Sequence, residues 1–338
     1  MGEQPHLSDA TLNTALAAHY GLTVTALTFL PIGYDSESAV YRAEAADGAA
    51  YFLKLRTRAG FSLKSLAVPR FLRDRGMPHI PAPVQTLAGA LWVDLGSYAL
   101  SLHPFIDGDT AAKVGLSEQD WHALGATLKE VHDGPLPPDL LQIVGREDFI
   151  PSRRGVIADL ESLLAARLFV EPAQRELASF WSSRKDEIDL LLKRSDALGD
   201  RLRQASPPLV LCHADLHTWN VLVGSDRQFW LVDWDEVVLA PKERDLMFVI
   251  GGIADGLVRM PETASFLRGY GHPAIDPLGL TYYRHAWAVQ DIGAYAEQVF
   301  LKSELGARAR QDALEGFKGL FEPGQIISIA YASEDAAA

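Results

Sequence analysis

Cysteine is almost absent from this chain. Cys212 is the only one in 338 residues, which excludes an intrachain disulfide and a cysteine-built zinc cluster. It follows the apolar run Leu209, Val210, Leu211 and is expected to be a small core residue. Basic charge is also scarce: 31 Lys and Arg against 44 Asp and Glu leave a formal net charge of −13. A nucleic-acid partner held by phosphate neutralisation is therefore not expected. No apolar run approaches the ~18 residues that cross a bilayer. The first residues carry Glu3 and Asp9 without an apolar signal segment, so the cytoplasm is the expected location and no membrane partner is expected. Internal repeats and long low-complexity stretches are missing too, and only the tail Glu334 to Ala338 reads as frayed. What remains is 48% hydrophobic and 22% charged, the composition of a globular protein with a full core in one large domain or two.

The chemistry-bearing residues concentrate in one stretch. Cys212-His213-Ala214-Asp215-Leu216-His217-Thr218-Trp219-Asn220 is followed by Trp230-Leu231-Val232-Asp233-Trp234-Asp235. Short apolar runs at Leu209–Leu211, Val221–Val223 and Phe229–Val232 read as buried strands. Gly224, Ser225 and Asp226 make a hairpin turn between the last two. Asp215 and Asn220 then lie on a loop between strands, and Asp233 just past a strand end. A loop acid, a loop amide and a strand-end acid are how kinase-type phosphotransferases assemble a base and metal ligands. The spacing H-x-D-x-x-x-x-N, with a second acid thirteen residues after Asn220, is more specific than any single carboxylate. Two other readings compete. One is solvated loop acids; the other is a metal hydrolase using His213, Asp215 and His217 as alternating ligands. The hydrolase leaves Asn220 without a role.

Along the chain, Ser8 is placed to cap a helix carrying Leu12, Ala15, Leu16 and Tyr20, with Gly21 as its stop. Val24–Leu30, Ala39–Ala43 and Tyr51–Leu55 read as strands, the last two joined by an Asp47-Gly48 turn. The loop from Pro31 to Ser38 has one glycine, Gly33, so it is neither a Walker A loop nor a full G-x-G-x-x-G. Gly33, Ser36 and Ser38 are candidate phosphate contacts. Lys54 is a charge inside an apolar strand, where a kinase plan puts its phosphate-binding lysine. Ser65 to Arg75 reads as a helix disturbed by Pro69, and prolines 78, 81 and 83 mark a loop. Leu91–Val93 and Tyr98–Pro104 read as strands, and Pro104 to Gly108 as a connector. Ser117 and Asp120 form a capping box ahead of Trp121, Leu124, Leu128 and Val131 at helical spacing. Amphipathic helix fills much of 151–205; another helix begins near Lys242, and a further one spans Tyr282 to Phe300.

These residues together identify the chain as resembling the aminoglycoside phosphotransferase family, bilobal relatives of protein kinases. The resemblance runs over nearly the whole sequence: lysine strand, connector, H-x-D-x-x-x-x-N loop, metal-binding acid and helical substrate region. The run Val232 to Glu236 with Leu239 to Phe248, and Tyr282-Tyr283-Arg284-His285 with Asp291-Ile292, are similar to its spectinomycin phosphotransferase subgroup. It implies an α+β, bilobal kinase-like fold, with a small sheet-containing nucleotide-binding lobe over residues 1–106 and a larger, mostly helical lobe over 107–338. It implies ATP and Mg²⁺ as cofactors and a small cationic substrate, an aminocyclitol such as spectinomycin first. By position, Asp215 would orient the acceptor hydroxyl and take its proton, and Asn220 and Asp233 would hold Mg²⁺. Lys54 would contact the α- and β-phosphates, and the backbone at Phe105 and Ile106 would meet adenine. Asp235, Glu236, His285 and Asp291 are candidates at the substrate end, His213 a brace of the loop, and Asp245 a structural cap.

One departure from the family pattern stands out. No Asp or Glu occurs between Asp47 and Asp74, and Ser65 falls near where the family places the helix carboxylate that pairs with the strand lysine. Asp233 is then the expected partner of Lys54, unless ATP alone orders it. A housekeeping kinase for an amino alcohol or sugar is the alternative within this fold. A catalytically silent nucleotide-binding regulator is the alternative outside enzymes, though it has no chemical need for Asp215, Asn220, Asp233 and Lys54 together.

Overall fold

Ser8 caps the first helix as expected. Its side chain accepts from the Thr11 N–H, and α1 (Asp9–Tyr20) stops at Gly21, whose φ of 69° lies in the left-handed region. The structure is a computed structural model that describes residues 7–31, 37–166, 169–303 and 305–334. The chain forms two compact units, each discontinuous: residues 1–120, 134–145 and 215–237 make the first, and 121–133, 146–214 and 238–338 the second. A single cut after residue 106 follows chain order, whereas compactness groups the stretch beginning at Asp215 with the first unit.

In the first unit, β1 (Val24–Leu30), β2 (Ser38–Ala45), β3 (Ala50–Thr57), β4 (Val93–Leu95) and β5 (Tyr98–Pro104) form an antiparallel sheet ordered β1-β2-β3-β5-β4. Alternate residues point to one face, so Tyr41, Ala43, Leu53, Leu55, Leu100 and Leu102 make a continuous core with Leu12 and Leu16 of α1. β4 starts two residues later than the sequence suggests. The tight turn at Gly96 (φ 74°) pairs Leu95 with Tyr98 and sets the register from that end. Helix α2 (Lys64–Asp74) runs through Pro69 without ending there. β6 (Gly108–Thr110), of which sequence reading assigns only Gly108, as the end of the connector, pairs with the later strand β8 (Val221–Gly224), itself in a hairpin with β9 (Phe229–Leu231). The Gly224 to Asp226 turn expected from the sequence closes that hairpin. Helices α3 (Ala111–Val114) and α5 (Pro138–Ile143) also lie within this unit, and α4 (Glu118–Asp133) begins in it with the expected Ser117–Asp120 capping box.

The second unit is mostly helical. It contains α6 (Arg154–Ala166), α7 (Pro172–Ser183), α8 (Lys185–Ala205), α9 (Glu243–Leu246), α10 (Met260–Tyr270), α11 (Pro277–Phe300), α12 (Ala307–Gly319) and α13 (Ile326–Ala332). The 24-residue α11 is its centre and packs against α6, α8, α9, α12 and α13. A short antiparallel pair, β7 (Val210–Cys212) with β10 (Val238–Ala240), completes it. Helices α4 and α10 cross closely because each offers a glycine. A Cβ on Gly125 would lie 2.1 Å from the Phe266 carbonyl oxygen, and one on Gly269 would lie 1.9 Å from that of His122. Among the described residues no helix is long and apolar enough to cross a membrane. Residue Glu334, expected to fray, instead pairs with Arg194 and His285; residues 335–338 lie outside the described residues.

Candidate active site

The hairpin β8–β9 sets the first three positions. A single 3₁₀ turn, Thr218–Asn220, precedes β8 and turns Asn220 back towards Asp215. The Asn220 amide nitrogen donates both to the Asp215 backbone carbonyl (2.9 Å) and to its carboxylate Oδ2 (2.7 Å). Asn220 is buried, and its backbone carbonyl accepts from the Val232 N–H at 2.9 Å. This last bond ties the loop to the residue before Asp233. His217 Nε2 lies 3.2 Å from Asp215 Oδ1, so both carboxylate oxygens have neighbours that fix the plane of the group. His213, Asp215 and His217 do not converge as a three-ligand metal set; the one such cluster among the described residues is His132, Cys212 and Asp245. All four of the oxygen and nitrogen atoms it would use are already hydrogen-bonded, which leaves the hydrolase reading without support.

Asp233 follows β9 with φ 61°, a left-handed conformation that costs a non-glycine residue roughly 1–2 kcal/mol. Its side chain keeps 45% of its surface exposed. Lys54 sits on β3 facing it, but the nearer carboxylate is Asp235: Nζ is 2.8 Å from Asp235 Oδ2 and 3.6 Å from Asp233 Oδ1. Arg56, two residues on and hence on the same face of β3, reaches the same Asp235 oxygen at 3.0 Å. Burial alone would lower the Lys54 pKa, yet the charges of Asp233 and Asp235 outweigh it and hold the ammonium above its ordinary value. Burial would raise Asp235, and Lys54 and Arg56 reverse that, holding its carboxyl well below the usual range. His103, on the adjacent strand β5, is pushed down to about 4 by burial and then by the Lys54 cation, so it is neutral near pH 7. The helix that the family resemblance makes the source of Lys54's carboxylate supplies a cation instead. Lys64 of α2 donates to the Val237 carbonyl at 2.8 Å, and the Ser65 hydroxyl donates to Ser62.

Of the remaining nucleotide candidates, Ser38 opens β2 opposite Arg56, and Gly33 and Ser36 lie outside the described residues. The Phe105 N–H donates to the Ala50 carbonyl, and its ring lies under the Arg42 guanidinium at 4.9 Å. That leaves the Phe105 carbonyl and the Ile106 N–H as the backbone groups able to meet a base.

The second unit contains a buried brace. Asp245 is fully buried and accepts from the backbone N–H of His213 (2.9 Å) and Ala214 (2.6 Å) and from His132 Nε2 (3.0 Å). His132 Nδ1 bonds the Tyr270 hydroxyl at 2.6 Å, which the close crossing of α4 and α10 permits. Burial would raise the Asp245 pKa, but His132 and the backbone donors lower it. The brace holds Ala214 at φ 69°, and the next residue in the chain is Asp215. The capping role expected of Asp245 fits this geometry. Cys212 is fully buried as expected, and burial pushes its thiol well up.

The substrate candidates separate. Asp235 is neutralised by Lys54 and Arg56, so its charge is already matched inside the protein. His285 is fully buried, with Nδ1 on the Thr281 carbonyl and Nε2 on Glu334, a packing environment. Glu236 is exposed. Asp291 is half-buried on α11, and burial pushes its carboxyl up to about 7. The Trp287 indole N–H, one turn earlier, approaches this carboxyl without closing a hydrogen bond onto it. Phe248 packs edge-on against Trp287, and the Arg244 guanidinium lies 5.7 Å from the same ring. Sequence reasoning missed Arg56, Lys64, His132 and Tyr270. Only Arg56 carried a signal, its two-residue offset from Lys54 on one strand face.

Comparisons with known proteins identify the fold and the family. A crystal structure of spectinomycin phosphotransferase APH(9)-Ia, in complex with ADP and spectinomycin, is 30% identical over 98% of this chain and 99% of that one, with a TM-score of 0.86. An amicoumacin kinase bound to AMP-PNP and Ca²⁺ (17% identity, TM-score 0.64, 95% of each chain) and an ethanolamine kinase from Plasmodium vivax (14%, 0.59, covering 96% of this chain and 91% of that one) share the fold. The fold is thus the kinase-like one expected, with a small antiparallel sheet lobe and a helical lobe. The cofactors are ATP and a divalent metal ion. The model of the phosphotransferase enzyme family matches residues 28–297, and the chain belongs to that family, as an ATP-dependent phosphotransferase acting on a hydroxyl group.

Proposed function

We propose that the protein transfers the γ-phosphoryl group of Mg·ATP to a hydroxyl of spectinomycin or a closely related aminocyclitol. The observation that carries this is the carboxylate of Asp215, pinned by the Asn220 amide, in a chain 30% identical along its length to an enzyme solved with ADP and spectinomycin. Phosphoryl transfer needs positioning and charge neutralisation more than covalent help. Asp215 orients the acceptor hydroxyl and takes its proton. Asn220 uses its amide nitrogen to set that carboxylate, so its amide oxygen stays available to a cation. The exposed carboxylate of Asp233 is the second hard oxygen ligand, a donor set suited to Mg²⁺. When bound, Mg²⁺ would neutralise phosphate charge. Lys54 binds the α- and β-phosphates, Ser38 at the start of β2 is a further phosphate contact, and the backbone at Phe105 and Ile106 meets the base. For the ammonium groups of the substrate we retain Glu236 and Asp291, which carry no ion pair among the described residues, and set aside Asp235 and His285.

The test is ATP consumption across spectinomycin, other aminocyclitols, aminoglycosides, choline-like alcohols and neutral sugars. ADP formation that depends on spectinomycin is the expected outcome. Turnover of an amino alcohol or sugar, with none of any aminocyclitol, overturns the substrate assignment. In calorimetry, Asp233→Ala should lose the Mg²⁺-dependent part of ADP affinity; unchanged Mg·ADP binding would reassign the strand-end acid.

A further inference from the structure

We infer that Asp235, not a helix carboxylate, positions Lys54 for phosphate binding, and that α2 supports this arrangement through the cation Lys64. The inference rests on the kinase reading above. Three observations in the first unit carry it. Lys54 and Arg56 converge on one oxygen of Asp235, at 2.8 and 3.0 Å, while Asp233 is more distant at 3.6 Å and more exposed. No acid lies between Asp47 and Asp74, so α2 offers no carboxylate to Lys54 before its last residue, and that residue pairs with Arg70. The segment that presents Asp235 is fastened on both sides. Before it, the Trp234 side chain is buried and its indole N–H donates to the Leu231 carbonyl at 3.1 Å. After it, the Val237 carbonyl accepts from Lys64.

The two acids therefore divide the work. Asp233, the more exposed of the two and closest to the hairpin, is the one placed to meet a metal ion. Asp235, held inward, keeps the lysine extended across the face of β3. When phosphate oxygens arrive, Lys54 turns part of its hydrogen bonding to them, and Arg56 still holds Asp235 in place. A lysine held at its working position before the nucleotide arrives loses less freedom on binding. The charge polarity is reversed relative to a helix acid: α2 contributes a cation that grips the backbone two residues beyond the acid.

The test is a double-mutant cycle read by ADP calorimetry and by ATP turnover with a saturating acceptor. Asp235→Asn should raise the KM for ATP at least tenfold and lower kcat, with the Mg²⁺ concentration for half-maximal activity unchanged. Added to Lys54→Met, it should cost less than a further twofold, because its effect runs through that lysine. Lys64→Met should move the KM for ATP in the same direction by a smaller factor, and it serves if the Asp235 variant does not fold. Full additivity of Asp235→Asn and Lys54→Met overturns the inference. So does a shifted Mg²⁺ requirement like that of Asp233→Ala, which would make Asp235 a metal ligand. A wild type that binds no ADP overturns the kinase reading itself, and this inference with it.

Discussion

Asp235 and Asp245 lie ten residues apart, and both are acids withdrawn from water, yet the protein neutralises them in opposite ways. Asp235 is balanced by two cations, Lys54 and Arg56, and keeps about a fifth of its side-chain surface exposed. Asp245 has no surface exposed and is balanced by two backbone N–H groups and the imidazole of His132. A pairing between long, charged side chains can be exchanged for a ligand's charge. One made with backbone donors cannot be released without unfolding the loop. The contrast teaches where chemistry is performed and where it is only held in shape.

Four variants probe that contrast. Asp215→Asn, nearly isosteric but a poor proton acceptor, should lower kcat by about 100- to 10,000-fold, the usual range for a general base. Its melting temperature and ADP affinity should stay close to those of the wild type; near-normal kcat would remove Asp215 from the chemistry. Asp245→Ala should behave in the opposite sense, costing about 3–5 kcal/mol in denaturant unfolding because it strands buried N–H groups and His132. If Asp245→Ala melted like the wild type, the distinction between holding and reacting acids would collapse.

The third variant concerns Asp291. Its folded pKa of about 7 exceeds the ordinary 3.8, so the protein prefers it protonated. Stability from this group is present at pH 4, declines as pH rises and is lost above pH 7. Binding of a cation runs the other way, because only the carboxylate attracts it. The KM for spectinomycin should therefore fall as pH rises from 6 to 8. Asp291→Asn should flatten that profile, raise KM about tenfold at pH 8, and melt higher than the wild type at pH 8 but not at pH 4. A wild-type KM independent of pH, or a variant with unaltered KM, would take the ammonium away from Asp291. The smallest effect expected is that of Tyr270→Phe. It removes one hydrogen bond to His132, worth about 1 kcal/mol by urea titration, with kcat little changed.

Much of this was legible in the sequence for local reasons. The Ser8 cap, the Gly224 to Asp226 turn, the first three strands and the H-x-D-x-x-x-x-N loop are each set by residues a few positions apart. The partner of Lys54 was not legible in the same way. Asp233 and Asp235 lie only two residues apart, and spacing does not show that Asp235 is the one held closer to Lys54. Strand β6 was missed because three residues containing a glycine have no periodicity to read; pairing with β8, more than a hundred residues later, makes them a strand. The His132–Tyr270 contact spans 138 positions and depends on two glycines whose meaning is steric, so no motif announces it.

Those two glycines have a practical consequence for genetics. The α4–α10 crossing touches no group proposed to act in catalysis, yet a methyl at Gly269 must push against the His122 backbone at 1.9 Å. A chain carrying Gly269→Ala would keep every reacting atom while lowering the temperature at which its helical unit comes apart. Cells bearing it should lose the enzyme on warming and regain it on cooling, a conditional allele that separates the dose of activity from its chemistry.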